Sequence, residues 1–227
     1  MSYRIELVQI DSITHDTFRL KLKKPSGFTW RPGQATEVAL DREGWREKKR
    51  PFTFVNDPKG EQIEFVIKSY PDHDDGMTKH IPGLRPGEHL LIDEPWGAIE
   101  DKGPGTFIAG GTGITPMLGL LRARMRGEGV GQPGPEACVL IFANKTRSDI
   151  ILHDELVGMG LLHTVFPLSD EQRSGFPHGH VDGPLLEEHV RDWSKPFYVC
   201  GPPPMEEAVV KLLQERGVRD DTIVTEE

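Results

Sequence analysis

The chain has 227 residues, of which 36% are hydrophobic and 28% charged, with a formal net charge of −9. That length can bury a substantial core, in one large domain or two small ones, and the acidity argues against non-specific nucleic-acid binding. Only Cys138 and Cys200 are present, too few for a disulfide framework or for the four thiolates of an iron–sulfur cluster. No apolar run approaches the roughly 18 residues of a membrane span, and "MSYRIELVQI" is no secretory signal. A cytoplasmic protein is expected, without nucleic-acid or membrane partners.

Residues 3–99 read as short alternating segments broken by Pro and Gly. "YRIELVQI", "TFRLKLKKP", "QATEVALD", "RPFTFVN", "QIEFVIKSY" and "EHLLIDEPW" are six strands, separated by turns such as "KPSG", "NDPKG" and "RPGE". Six such strands predict an antiparallel six-stranded β-barrel or sandwich. The insert "DDGMTKHIPGL" has the look of a short helix.

The texture changes after "EDKGPG". The strands "TFIA", "ACVLIFA", "LLHTVFP", "PFYVC" and "DTIVTE" now alternate with helical stretches. These are "TPMLGLLRARMRG", "DIILHDELVGM", "GPLLEEHVRDW" and "PPMEEAVVKLLQERG". Alternation of this kind predicts a doubly wound parallel α/β domain. The expected division is therefore 1–99 and 100–227.

Two motifs fall at strand ends of this second half. "IAGGTGITP" contains Gly110, Gly111, Thr112, Gly113, Thr115 and Pro116. Glycines let a backbone approach a bulky anion, and a helix N-terminus presents N–H groups to it. A tight strand–helix turn explains the same residues. "YVCGPPPM" puts Cys200, Gly201 and Pro202 at the end of the fourth strand, on the same sheet edge. A buried thiol packed as a small hydrophobe is the ordinary alternative.

"RPFTF", "DDGMTKHI", "GGTGITP" and "YVCGPPPM", in this order, resemble the ferredoxin–NADP reductase superfamily, in particular its stand-alone flavodoxin or ferredoxin reductase-like members. The resemblance implies a barrel that binds FAD (FMN in some members) and an α/β domain that binds NADH or NADPH. Arg50, Phe52 and Thr53, with Pro51 between, match the Arg-x-aromatic-Ser/Thr motif. Arg50 would neutralise the flavin pyrophosphate, Phe52 pack on the flavin, and Thr53 bring its hydroxyl near N5. Val66, Ile67 and Lys68 would line the flavin and its phosphates, and Gly76, Met77 and Thr78 would hold the pyrophosphate, which favours FAD over FMN. Cys200 would position the nicotinamide rather than act as a nucleophile. Strand alternation adds that Arg50, Phe52 and Phe54 share one face, with Thr53 on the other.

The chain departs from the family twice. It ends Thr225-Glu226-Glu227, without the aromatic residue that stacks on the flavin in many members, and Trp96 is a candidate substitute. It also has Ser169-Asp170-Glu171 where NADPH-using members often carry Ser-Arg. Two carboxylates there repel a 2′-phosphate and favour NADH; Lys145 and Arg147 nearby argue the other way.

The remaining candidates have plain readings. "PHGH" lacks a third ligand at a familiar spacing, so no metal site is expected. Ser12, His15 and Asp16 in "SITHD" read as a polar turn, since a triad is defined by geometry. Arg122, Arg124 and Arg126 read as the exposed face of a helix, or as a patch for an acidic partner. The function implied is an FAD-dependent NAD(P)H oxidoreductase passing electrons to a ferredoxin, a flavodoxin or an oxygenase component. A flavin-binding subunit active only in a larger complex, and a flavin-binding sensor, are the alternatives.

Overall fold

The computed structural model describes residues 2–72, 76–97, 99–131 and 134–226. Asp74 and Asp75 of "DDGMTKHI", and Glu227, lie outside these residues. The chain divides into two compact units, residues 1–98 and 99–227.

The first unit contains β1 (Tyr3–Ser12), β2 (Thr17–Lys23), β3 (Gln34–Leu40), β4 (Arg50–Thr53), β5 (Gln62–Lys68), β6 (His89–Ile92) and a two-residue β7 (Trp96–Gly97). They form one antiparallel sheet in the order β4-β3-β6-β1-β2-β5, with β7 also paired to β3. Alternate residues of each strand point inward, among them Ile5, Leu7, Leu20, Leu22, Val38, Leu40, Ile63, Phe65, Ile67, Leu90 and Ile92. Phe54 fills the centre, stacked on Trp30 at 4.7 Å and tilted against Phe65 at 5.3 Å. The sheet rolls into the expected six-stranded barrel, nearly closed.

Two strands are shorter than their sequence pattern. "RPFTFVN" pairs with β3 through Thr53, and Phe54 N–H makes the last bond to it, at the Gln34 carbonyl (3.0 Å). At Val55 and Asn56 the chain crosses to β5: Val55 N–H donates to the Glu64 carbonyl (3.1 Å), and the Asn56 amide brackets Gln62 and Glu64 (both 2.8 Å). "EHLLIDEPW" divides into β6 and β7 at Asp93–Pro95, where a proline cannot donate to a ladder.

The second unit runs β8 (Thr106–Gly110), α1 (Ile114–Met125), β9 (Val139–Ala143), α2 (His153–Gly158), β10 (His163–Val165), α3 (Gly183–His189), β11 (Phe197–Cys200), α4 (Pro203–Glu215) and β12 (Ile223–Thr225). All the strands are parallel, in the order β10-β9-β8-β11-β12. The chain starts at the centre, winds outward, returns and winds the other way, so the reversal lies between β8 and β11. Ligands of such sheets bind beyond the strands' carboxyl ends at that point. α3 and α4 cover one face through Leu186, Val209 and Leu213 packed with Ile108, Ile141 and Val199.

The "DIILHDELVGM" helix is only partly formed. Asp149 is held by Thr146, whose N–H and hydroxyl both donate to its carboxylate (2.9 and 2.7 Å), which closes a separate 3₁₀ turn. α2 begins only after Leu152, the one non-glycine residue with positive φ (53°) among the described residues.

Arg124 corrects the reading of the α1 arginines as an exposed face or docking patch. It is 1% exposed and ion-paired with Asp101. Asp101 also accepts N–H groups from Gly103 (3.0 Å) and Val130 (2.9 Å). Beside it the Tyr198 hydroxyl donates to the Gly103 carbonyl (2.6 Å) and accepts from Lys102 N–H (2.9 Å). Arg122 pairs with Glu155 through two hydrogen bonds and Arg126 pairs with Glu128, so neither offers a free charge. Asp101→Ala would leave a buried guanidinium uncompensated, and urea titration is expected to show a loss of about 3–5 kcal/mol. An unchanged midpoint would show that the pair carries no net weight.

Candidate functional site

In the first unit, the two edge strands β4 and β5 lie side by side without a ladder between them. The Val55–Glu64 bond closes one end of this seam. Strand parity then assigns the open part: counting back from that bond, Thr53 falls opposite Val66 and Pro51 opposite Lys68. The N–H and C=O groups of Thr53 and Val66 point into the seam, because those of the intervening residues serve β3 and β2.

Side chains divide by the same parity. Phe52 is half-buried against the barrel core, its ring 6.4 Å from that of Phe65. Thr53 turns outward and is nonetheless only 5% exposed. Val66 is also buried without belonging to the core. Ile67 corrects its expected place: its side chain is in the core and its backbone groups serve the β2 ladder. Met77 is likewise a core residue that roots the segment, leaving Gly76 and Thr78 at the surface. The expected short helix is a 3₁₀ turn, Met77–Gly83, with no side-chain cap.

The cationic run before β4 resolves into paired and unpaired members. Arg42 pairs with Glu88, Arg46 with Asp41 and Lys49 with Asp93. Arg50 has no carboxylate partner among the described residues. It is exposed at the mouth of the seam, with one donation to the Lys49 carbonyl (2.8 Å).

Trp96 lies on the same outer face. Ala35 of β3 pairs with Thr53 on one side and with Trp96 on the other, so the three form one row across three strands.

In the second unit, the glycine loop and the Cys200–Pro202 turn meet at the strand reversal. β8 and β11 are in register, with Cys200 beside Ala109. An ideal Cβ on Gly113 would collide with the Cys200 carbonyl and lie 2.8 Å from Gly201 N; one on Gly110 would lie 3.0 Å from Pro202 Cδ. Backbone packing thus explains Gly113, the Met205 and Pro202 side chains crowd Gly110, and φ of +53° explains Gly111. The tight-turn reading accounts for these glycines, and the same loop opens α1 with no side-chain cap and no acidic residue in the first turn. Ile114 N–H is already spent on the Gly111 and Thr112 carbonyls and Pro116 has none, so only the other N–H groups of that turn could face an anion. Thr115 donates its hydroxyl to the Thr112 carbonyl (3.0 Å), and Pro116 is buried.

Cys200 is 5% exposed and its Sγ donates to Glu226 Oε2 (3.3 Å). Burial, then the Glu226 carboxylate, push the thiol far above its ordinary value. It is a neutral hydrogen-bond donor, not a thiolate. β12 runs parallel to β11 with Thr225 beside Val199, which delivers Glu226 to Cys200.

The loops after β9 and β10 are stitched together. Arg147 N–H donates to Glu171 Oε2 (2.7 Å), Asp170 N–H to the Lys145 carbonyl (2.9 Å) and Ser169 N–H to the Asn144 carbonyl (3.0 Å). Glu171 is held below its ordinary pKa by that backbone bond and by Arg173. The Arg147 guanidinium lies 3.0 Å from His153 Nδ1. The groups expected to decide NADH against NADPH are therefore neighbours.

Comparison with known proteins identifies the family and the fold. An oxidoreductase FAD-binding domain model matches residues 4–100, and an oxidoreductase NAD-binding domain model matches 107–211. NADH-cytochrome b5 reductase 1 of Pyricularia oryzae is 30% identical over 94% of this chain and 74% of its own length. The chain belongs to the ferredoxin–NADP reductase superfamily. It is an NAD(P)H-dependent flavoprotein reductase that carries electrons from the nicotinamide nucleotide through FAD to an acceptor. Another relative in the superfamily, the anthranilate 1,2-dioxygenase electron transfer component of Acinetobacter baylyi, is 30% identical over 86% of this chain, which spans 57% of that relative. The CS-b5R domains of human Ncb5or in the NAD+ form superpose with a TM-score of 0.84 at 25% identity, covering 98% of this chain and 68% of that one. Among the described residues, no helix is long and apolar enough to cross a membrane.

Asn56 is not singled out by sequence, and Glu226 only as one of two terminal glutamates, either of which the resemblance could match to an acidic residue near the flavin. Asn56 sits in "NDP", which reads only as a turn, and Glu226 becomes meaningful only once β12 is known to lie beside β11. For the glycine loop, Gly113→Ala is expected to cost about 3 kcal/mol through the clash with Cys200. Gly111→Ala has open space around it and is expected to cost about 1 kcal/mol for its positive φ. Chemical denaturation of the two variants gives the comparison; equal losses would contradict the packing account.

Proposed function

We propose that residues 1–99 hold FAD along the open β4–β5 seam and residues 100–227 hold NADH at the β8–β11 reversal. The observation that carries this reading is the unpaired Arg50 at the mouth of a seam whose backbone groups are uncommitted. The residues fit the cofactor. A guanidinium fork suits phosphate oxygens, and N–H and C=O groups at Thr53 and Val66 suit the polar edge of a flavin. Gly76 and Thr78 add donors for the pyrophosphate, with Met77 contributing backbone only. Bound FAD supplies the ability to take electrons as a pair and release them singly.

The chain's own residues bind, orient and exclude water. Arg50 binds phosphate, Pro51 and Phe52 shape the seam, and Val66 forms an apolar wall. Thr53 Oγ1, which hydrogen-bonds no group among the described residues, orients the flavin. Gly110, Gly111, Thr112, Gly113, Thr115 and Pro116 build the uncapped N-terminus of α1 that receives the nicotinamide nucleotide's pyrophosphate. Cys200, with Gly201 and Pro202, positions the nicotinamide through a neutral thiol whose direction Glu226 sets. Trp96 covers the flavin in place of a terminal aromatic residue.

NADH is favoured because Asp170 and Glu171 stand where a 2′-phosphate would arrive, and the Arg147 guanidinium is already engaged by His153. The electron acceptor is a protein: a ferredoxin, a flavodoxin or an oxygenase component, as the name of the Acinetobacter relative suggests. A cytoplasmic setting agrees with Cys138 and Cys200 being free thiols. A subunit working only within a larger complex is the second reading, favoured by the 57% of that relative which the chain spans. Steady ferricyanide reduction by the isolated chain would decide against it.

Anaerobic stopped-flow mixing with each nucleotide tests the scheme. Flavin bleaching is expected at least tenfold faster with NADH than with NADPH at equal concentration. Arg50→Ala is expected to lose flavin on gel filtration, whereas Thr53→Ala retains it and bleaches more slowly. Equal flavin content and equal rates in both variants would falsify the assignment of this strand.

A further inference from the structure

One imidazole in the second unit has two claimants. His153, the first residue of α2, brings its Nδ1 within 3.0 Å of the Arg147 guanidinium and 2.8 Å of Asp154 Oδ1. A ring nitrogen carries either a lone pair or a proton. With a lone pair, Nδ1 accepts from Arg147; with a proton, it donates to Asp154. The two contacts therefore exclude one another. Arg147 itself stays 3.9 Å from Asp154 Oδ1, too far for a hydrogen bond.

The ring is fixed while its nitrogen has the choice. It packs against Phe166 at 4.9 Å and Phe176 at 6.3 Å, and the His153 side chain is 20% exposed. Asp154 is in solvent, and its bond to His153 holds its carboxyl below the ordinary pKa. The remaining charged groups of this cluster have partners. Glu171 pairs with Arg173 (3.2 Å), its carbonyl lies 3.2 Å from His178 Nδ1, and Asp149 and Asp170 accept from the Thr146 and Ser169 hydroxyls.

In a parallel sheet wound from its centre, a ribose 2′ substituent is read beyond the strand that follows the glycine loop and its helix. A carboxylate there suits a hydroxyl, and an arginine suits a phosphate. β9 is that strand, and Arg147 is in the turn after it. Both readers are present, with Glu171 bonded to Arg147 N–H and the guanidinium turned to His153.

We propose that His153 determines the choice between NADH and NADPH by keeping the Arg147 guanidinium occupied, and that it releases Arg147 to a 2′-phosphate when Nδ1 takes a proton and turns to Asp154. This rests on the placement of the nucleotide's 2′ side beside Asp170 and Glu171. Histidine is the side chain that ordinarily gains charge between pH 8 and pH 5, so NADPH gains on NADH as the pH falls.

Ferricyanide reduction by the flavin-loaded chain gives kcat/KM for each nucleotide from pH 8 to pH 6. The quantity compared is the NADPH-to-NADH ratio, in which losses of folding or of flavin cancel. The 2′-phosphate's own titration is common to every variant. His153→Phe keeps the ring contacts and removes Nδ1; at pH 8 it is expected to raise the ratio about fivefold over the parent. That gap is expected to close by pH 6. His153→Asn, whose amide oxygen replaces Nδ1 as an acceptor but gains no proton, is expected to stay about fivefold below His153→Phe throughout. Arg147→Met added to His153→Phe is expected to abolish the gain, because His153 acts only through Arg147.

Three outcomes overturn the proposal: equal ratios for His153→Phe and parent at pH 8, a gap that does not change with pH, or a gain that survives Arg147→Met. In a parent that prefers NADH, each of them removes this inference alone. A parent that uses both nucleotides equally and is moved by no variant would remove the NADH reading as well. If His153→Phe does not fold, His153→Asn against the parent at pH 6 answers the same question, and equal ratios there overturn the proposal.

Discussion

The first unit depends on a sheet that closes at one end only. Val55 and Asn56 leave the β3 ladder and bond to Gln62 and Glu64 of β5, so the two edge strands are tied at that end and unpaired along the rest. Full closure would commit every strand-edge N–H and C=O. Partial closure leaves Thr53 and Val66 with backbone groups that a planar polar ligand can satisfy. The same parity that sends Phe52, Phe54, Phe65 and Ile67 inward leaves Thr53, Val66 and Lys68 on the outer wall. Core packing and site construction are thus one arrangement, and moving either strand by one residue would exchange them.

The second unit solves a different problem with its glycines. Two strand-to-helix turns arrive side by side at the sheet reversal, and both need their backbones at the same place. Gly113 sits against the Cys200 carbonyl and Gly110 against Pro202, where side chains would collide. Close contact between the turns places the uncapped first turn of α1 beside the Cys200 thiol. The thiol stays protonated because burial removes water and the Glu226 carboxylate lies against it. A group that has to orient a ring, and not attack it, is suited to that state.

Charge along this chain is a poor guide to function until partners are known. "REKKR" and "RARMR" look alike as sequences. In the first, Arg46 and Lys49 are consumed by Asp41 and Asp93, and Arg50 alone is left over. In the second, Arg124 is buried on Asp101, where it ties the opening of the second unit to the end of α1. Lys68 and Asp16 show the reverse, since a residue read as part of a polar turn proves to be ion-paired with a lysine 52 positions away. Ion pairs between distant residues are settled by strand register, which no local pattern encodes.

Hydrophobic alternation and turn residues sufficed to reveal six barrel strands and a wound α/β unit, and the four motifs carried the family by resemblance. They sufficed because each is a local property: a period of two, a turn residue, a strand running into a helix. The lengths of β4 and α2 were beyond them, since each ends where a tertiary or capping bond competes better than the regular ladder. So was the division of "VIK", whose Ile67 belongs to the core, and of "GMT", whose Met77 does too. Above all, which cation is free, which carboxylate pairs with Lys68 and which glutamate meets Cys200 were decided only by the fold. Those facts depend on distances between strands remote in sequence, and only the folded sheet brings such strands together.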